Sequence, residues 1–199
     1  MSTTKSAGAG TVRPARREDA AVLTELINQA GEGFPLYFWE TLAGRDESAW
    51  DVGRKRAERD EGSFSWRNAT IIEADGKAAG CVIGYEIPDN PRPILTDMPR
   101  MSVPLQELEN LPPSTWYVNV LAVLPEHRGK GLGTQLLAVA DETGRKFGKK
   151  GMSVIVSDAN PGACRLYERC GYRETARREM VKDNWTYPGR EWVSLTKPL

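Results

Sequence analysis

Histidine is almost missing from this 199-residue chain, with His127 its only example. Cysteine is scarce too: Cys81, Cys164 and Cys170, with no Cys-x-x-Cys pair. That set lacks the ligands of a zinc centre, so no metal is expected. An odd cysteine count, with two thiols on one short predicted helix, does not read as a disulfide framework, and a reducing cytoplasm is the expected location. Ser-His-Asp catalysis would have to recruit His127, which reads as an exposed turn residue. A charge excess is missing as well, because 27 Lys and Arg balance 27 Asp and Glu; no global basic field points to nucleic acid. No apolar run has the length of a membrane span, so no membrane partner is expected. Residues 1–10 are rich in Ser, Thr, Ala and Gly, carry no signal-peptide pattern and predict a flexible tail. The remainder, 11–199, is predicted as one domain, since a composition of 40% hydrophobic and 27% charged residues suits a folded core.

The most informative segment runs from Tyr117 to Leu137. Residues 118–124 are nearly all apolar and predict a buried strand. Pro125 marks a turn, Arg128-Gly-Lys-Gly-Leu-Gly133 follows, and an amphipathic helix is predicted with Leu132, Leu136, Val139, Ala140 and Phe147 on one side. A helix start carries backbone N–H groups without intrahelical partners and a partial positive charge. Glycines allow close approach to those amides, and Arg128 and Lys130 add cationic charge, so the segment suits a diphosphate. It is neither a Walker A loop nor a dinucleotide fingerprint, whose spacings it fails. A second motif, Asn160-Pro-Gly-Ala-Cys-Arg-Leu-Tyr-Glu-Arg-Cys-Gly-Tyr172, reads as a short helix. Asn160 suits its N-cap, Pro161 its first turn and Gly171 the left-handed position after its end.

Arg128, Gly131 and Gly133 resemble the Arg/Gln-x-x-Gly-x-Gly/Ala acyl-CoA motif of the GNAT superfamily of N-acetyltransferases. The second motif resembles that family's Asn-x-x-Ala-x-x-Leu-Tyr-x-x-x-Gly-Phe/Tyr pattern, in the same order. The resemblance implies roles. Leu121, Ala122 and Val123 form the cofactor strand, with Leu121 and Val123 pairing through their backbone with the pantetheine arm of acetyl-CoA. Amides of Arg128, Gly129, Lys130, Gly131, Leu132, Gly133 and Thr134 hold the diphosphate. Asn160 contacts the pantetheine region, and Tyr167 acts as general acid to the departing thiolate. A backbone N–H of 121–123 stabilises the charge that develops on the carbonyl oxygen.

By family analogy the fold is α/β (α+β): a mixed, mostly antiparallel, splayed sheet flanked by helices. Strands are expected at 11–16, 68–74, 78–86, 118–124, 152–157, near 174–182 and at 191–196, and helices at 18–30 and 48–59, with a long helix after the glycine loop and a short one between Asn160 and Gly171. A Pro-rich loop at 88–113 contains a short helix near 103–111, and residues 31–44 are an aromatic connection with partial helix. The central strand carries no carboxylate, and Asn119 is its only amide, placed to position water or the amine. The general base is therefore open, with Glu32, Glu73 and Glu86 as candidates. Glu32, Phe34, Tyr37, Phe38, Trp39 and Trp185 are candidate acceptor-site residues, with core packing as the competing reading of the aromatics. The expected function is acetyl transfer from acetyl-CoA to a primary amine of a small molecule, protein or peptide. The alternative is a non-catalytic acyl-CoA-binding regulatory module. A homodimer is a further implication of the resemblance.

Overall fold

Strands form where β-branched and small apolar residues run together, and helices where apolar residues recur on one side. The computed structural model describes residues 10–199. Its elements are β1 (Thr11–Pro14), α1 (Ala20–Ala30), α2 (Phe34–Leu42), α3 (Ala49–Ala57), β2 (Ala69–Ala74), β3 (Lys77–Glu86), α4 (Val103–Glu109), β4 (Thr115–Val123), α5 (Leu132–Lys146), β5 (Gly151–Ser157), α6 (Pro161–Arg169), β6 (Arg173–Glu179) and β7 (Glu191–Pro198). The tail expected over 1–10 lies, except for Gly10, outside the described residues.

The seven strands follow the order β1-β2-β3-β4-β5-β7-β6. Every neighbouring pair is antiparallel except β4 and β5, which run parallel. This is the mixed, mostly antiparallel sheet with flanking helices that the sequence predicts. The β4–β5 ladder runs from Thr115↔Gly151 to Val118↔Val154 and stops there, although β4 continues to Val123 and β5 to Ser157.

Backbone contacts divide the chain into two units, 10–83 with Val120–Ala138, and Gly84–Asn119 with Val139–Leu199. In the first, Leu23, Leu26 and Ile27 of α1 pack with Ile71, Cys81, Ile83, Val120 and Ala122 of the sheet. Ser48 starts α3 with a capping box, accepting from Asp51 N while Asp51 accepts from Ser48 N. Gly53 of α3 lets Trp39 lie against the helix, since a Cβ there would sit 2.5 Å from the indole. In the second unit, Leu108, Trp116, Val118, Met152, Val154, Tyr172, Val193 and Leu195 are buried.

The partial helix expected within 31–44 is present as α2, where Gly33 turns the chain at φ 84°, Pro35 suits the first turn and Trp39 is drawn into the core. Two expectations need correction. The first turn of the 18–30 helix is a separate 3-10 turn, with Asp19 held by Arg13 at 2.7 Å. Phe147 lies beyond the end of α5 and is 55% exposed, its ring 4.9 Å from Trp116, so it is not on the buried face.

Gly84 fixes how closely β3 approaches β4. A Cβ there would collide with the Trp116 indole nitrogen and lie 2.9 Å from Tyr117 O. Gly84→Ala is expected to cost about 1–3 kcal/mol of stability, read by urea unfolding. An unchanged midpoint would show that the strands separate freely there.

Candidate active site

The first unit contains the glycine loop. After β4 the chain makes a 3-10 turn at Pro125–His127, and Gly129 and Gly131 take φ of 73° and 82°. Nothing lies within 4 Å of a Cβ built on either glycine, so the space above the loop is open. The helical hydrogen bonds of α5 begin with Gln135 N donating to Gly131 O at 3.1 Å. The amides ahead of the first helical bond have no intrahelical partner, and such a helix start suits an anion. Arg128 and Lys130 fold back on the loop: Arg128 Nε donates to Val123 O and Lys130 Nζ to Glu126 O, both at 3.0 Å. With its amide nitrogen toward Val123 O (3.2 Å), Gln29 also accepts from Arg128 Nη2 at 3.1 Å. Arg128 thus ties the loop to the end of β4 besides adding charge. His127 is half-buried rather than exposed, and its Nδ1 has no hydrogen-bond partner among the described residues.

The second unit contains the other motif. Asn160 caps α6 by accepting from Ala163 N at 3.0 Å, Pro161 opens the helix, and Gly171 follows its end at φ 92°. Tyr167 is 5% exposed and meets Tyr172 edge-on at 5.5 Å. Burial, reinforced by Cys164 and Cys170, holds its phenol well above the ordinary tyrosine range. The phenol is therefore neutral, with its proton in place, at physiological pH. Asn119 stands on β4 one residue past the end of the β4–β5 ladder and is half-buried.

The structure sorts the other predicted residues. Glu32 occupies the α1–α2 turn in a left-handed conformation, φ 55°, and is half-buried, as are Phe34, Tyr37 and Phe38 on α2. Trp39 is 1% exposed and belongs to the core, so it offers no surface to an acceptor. Trp185 is buried between Tyr187 and Trp192, stacked at 4.7 and 6.2 Å, and serves the packing of the β6–β7 connection. Of the base candidates, Glu73 is paired with Arg13 and Glu86 with Lys149, each at 2.6 Å.

One cluster in the second unit escaped the sequence reading. Tyr85 of β3 donates its hydroxyl to Glu109 of α4 at 3.0 Å, and Arg92 Nη1 donates to the other carboxylate oxygen at 3.0 Å. The Tyr85 ring meets Tyr117 of β4 edge-on at 5.3 Å. No local spacing links positions 85, 92, 109 and 117; only the topology does.

The phenols of Tyr85, Tyr117, Tyr167 and Tyr172 are all raised, chiefly by burial. The folded chain therefore holds these protons more tightly than the unfolded chain. Their stabilisation is complete below the unfolded pKa of about 10 and is lost as pH rises beyond it. Melting temperature should hold up to about pH 10 and fall steeply above it; a flat profile there would contradict buried neutral phenols.

Among the described residues no helix is long and apolar enough to cross a membrane, and no group of three or more His, Cys, Asp and Glu is placed to hold a metal ion. An uncharacterised N-acetyltransferase of Methanocaldococcus jannaschii is 26% identical over 190 residues, covering 95% of this chain and 67% of that protein. The N-acetyltransferase from Staphylococcus aureus Mu50 shares the fold with a TM-score of 0.64 at 18% identity, over 94% of this chain and all of that one. A GNAT family acetyltransferase from Elizabethkingia anophelis, solved with acetyl-CoA bound, gives 0.60 at 17% identity over 95% and 97% of the two chains. The family model described as the Acetyltransferase (GNAT) family matches residues 24–172, a span that takes in both the glycine loop and the Tyr167 helix. This chain therefore belongs to the GNAT family of acetyltransferases, whose acyl donor is acetyl-CoA.

Proposed function

We propose that this chain transfers the acetyl group of acetyl-CoA to a primary amine, carried by a small molecule or by a protein or peptide, and that residues 11–199 act as one catalytic domain. The observation that carries the reading is the pairing of chemistries in the two motifs: an open, amide-rich helix start in one, and a buried, neutral phenol in the other.

In this reading the amides of Arg128–Thr134 receive the diphosphate, with Arg128 and Lys130 lowering its charge cost. Leu121 and Val123 pair by their backbone with the extended pantetheine arm, as an added strand would. The support is that the β4–β5 ladder stops at Val118 while β4 runs on to Val123. Asn160 adds a polar contact to the same arm. An N–H of 121–123 faces the carbonyl oxygen as the amine attacks and negative charge develops there. Tyr167 gives its proton to sulfur as the C–S bond breaks. Asn119 orients the amine or a water. Glu32, Phe34 and Tyr37 remain the acceptor-side residues with accessible surface. CoA brings the activated acyl group, so the chain supplies orientation and electrostatics.

The direct test is calorimetric titration with acetyl-CoA, using CoA and ATP as comparisons, followed by thiol release across primary amines. Tight acetyl-CoA binding, much weaker ATP binding and amine-dependent thiol release are expected. Binding without release for any amine would instead favour an acyl-CoA-binding module.

A further inference from the structure

The acetyl-transfer reading leaves the acceptor's proton unassigned, because β4 carries no carboxylate. An amine acceptor is largely an ammonium ion near neutral pH and cannot attack until it loses a proton. We propose that Tyr85 takes this proton and passes its own to Glu109, making the two a relay on the acceptor side of the reaction.

Placement comes first. Tyr117 stands on β4 two residues before Asn119, in edge contact with Tyr85. Side chains alternate across a strand, so Tyr117 and Asn119 share one face of β4. The Tyr85–Glu109 pair therefore packs against the β4 face that carries Asn119, the residue assigned to orient the amine. Both Tyr85 and Glu109 keep partial exposure, and the Glu109 side chain is 13% exposed. A proton can thus enter and leave.

The environment of Glu109 fits a proton acceptor. From β3 it meets the Tyr85 hydroxyl and from the segment ahead of α4 it meets Arg92, while from β4 the Tyr117 ring packs against Tyr85. On the β6 side, Arg178 is engaged by Glu107 at 2.6 Å. Burial raises the proton affinity of Glu109, and the Tyr85 hydrogen bond and Arg92 offset that only in part. Nor is Glu109 needed to hold the Pro-rich segment. Arg92 N donates to Asn110 Oδ1 at 3.0 Å and Asn110 Nδ2 to Arg92 O at 2.8 Å, pinning the segment to the end of α4 independently.

The step balances. The N–H bond of the ammonium breaks as a new O–H bond forms on Tyr85, and the original Tyr85 proton moves to Glu109 Oε2. Tyr85 stays neutral throughout, as its strongly raised phenol requires. The free amine then forms the C–N bond, the C–S bond breaks, and the thiolate takes the Tyr167 proton. The second amine proton restores Tyr167, and Glu109 releases its proton to solvent. Tyr85 is the catalytic residue that meets the amine; Glu109 acts through it.

This rests on the acetyl-transfer reading, and the test separates the two. Wild type, Glu109→Gln and Tyr85→Phe are assayed with tyramine, spermidine and the dipeptide Ser-Ala, and with hydroxylamine, which is largely unprotonated at neutral pH. Both variants are expected to lose about 100-fold in kcat with the amines, to shift the rise of their pH–rate profiles to higher pH, and to keep melting temperature and acetyl-CoA affinity. Hydroxylamine acetylation is expected to fall far less. Equal losses with amines and hydroxylamine, or no loss at all, would overturn the relay while leaving acetyl transfer intact. Wild type that binds acetyl-CoA yet acetylates none of the four probes would overturn the acetyl-transfer reading, and the relay with it.

Discussion

Tyr167→Phe is expected to lower kcat by about 100- to 10,000-fold while leaving acetyl-CoA affinity nearly unchanged. The argument has two parts. The phenol is buried and holds its proton far above neutral pH, so the donor form is fully populated. The substitution removes only the hydroxyl, and the ring keeps its edge contact with Tyr172. The loss should therefore fall on the step in which sulfur departs, not on binding. Single-turnover thiol release reads the chemical step, and calorimetry reads binding. Retained kcat would remove Tyr167 as general acid. Loss of affinity together with melting temperature would assign it to packing.

Gly131→Glu is expected to weaken acetyl-CoA binding by about 100-fold or more. Two effects combine at this position. The backbone has φ 82°, where an L side chain costs of order 1–3 kcal/mol. The Cβ would enter open space directly over the helix start, bringing a carboxylate to the place assigned to the diphosphate. Gly131→Ala separates the two, because it carries the backbone strain without the charge. If Ala and Glu weaken binding equally, conformation is the cause. If Glu binds acetyl-CoA as well as wild type, the diphosphate lies elsewhere.

Legibility followed the range of the interactions. Asn160, Pro161 and Gly171 act within one or two turns of the chain, and the α6 boundaries they predict are those observed. The glycine loop and the start of α5 are local in the same sense. The mixed, mostly antiparallel sheet followed from family resemblance, but its strand order did not, since no single segment encodes which strand lies beside which. Trp39 was ambiguous because an aromatic stripe serves a core and a pocket equally well. Its burial and the close approach of Gly53 show that the indole is core. Phe147 fits the helical period, but α5 stops at Lys146 and Gly148 turns away at φ 67°. The Tyr85–Glu109–Tyr117 cluster was invisible for a plainer reason: its members come from β3, α4 and β4, and a single sequence carries no signal that joins them.

The most direct measurement is mass-spectrometric detection of the acetylated amine after incubation with acetyl-CoA, run with wild type and Tyr167→Phe beside enzyme-free controls. The account predicts an N-acetyl product that depends on wild-type protein and nearly disappears in the variant. Firm acetyl-CoA binding with no acetylated amine above the enzyme-free rate, across small-molecule and peptide acceptors, would contradict it.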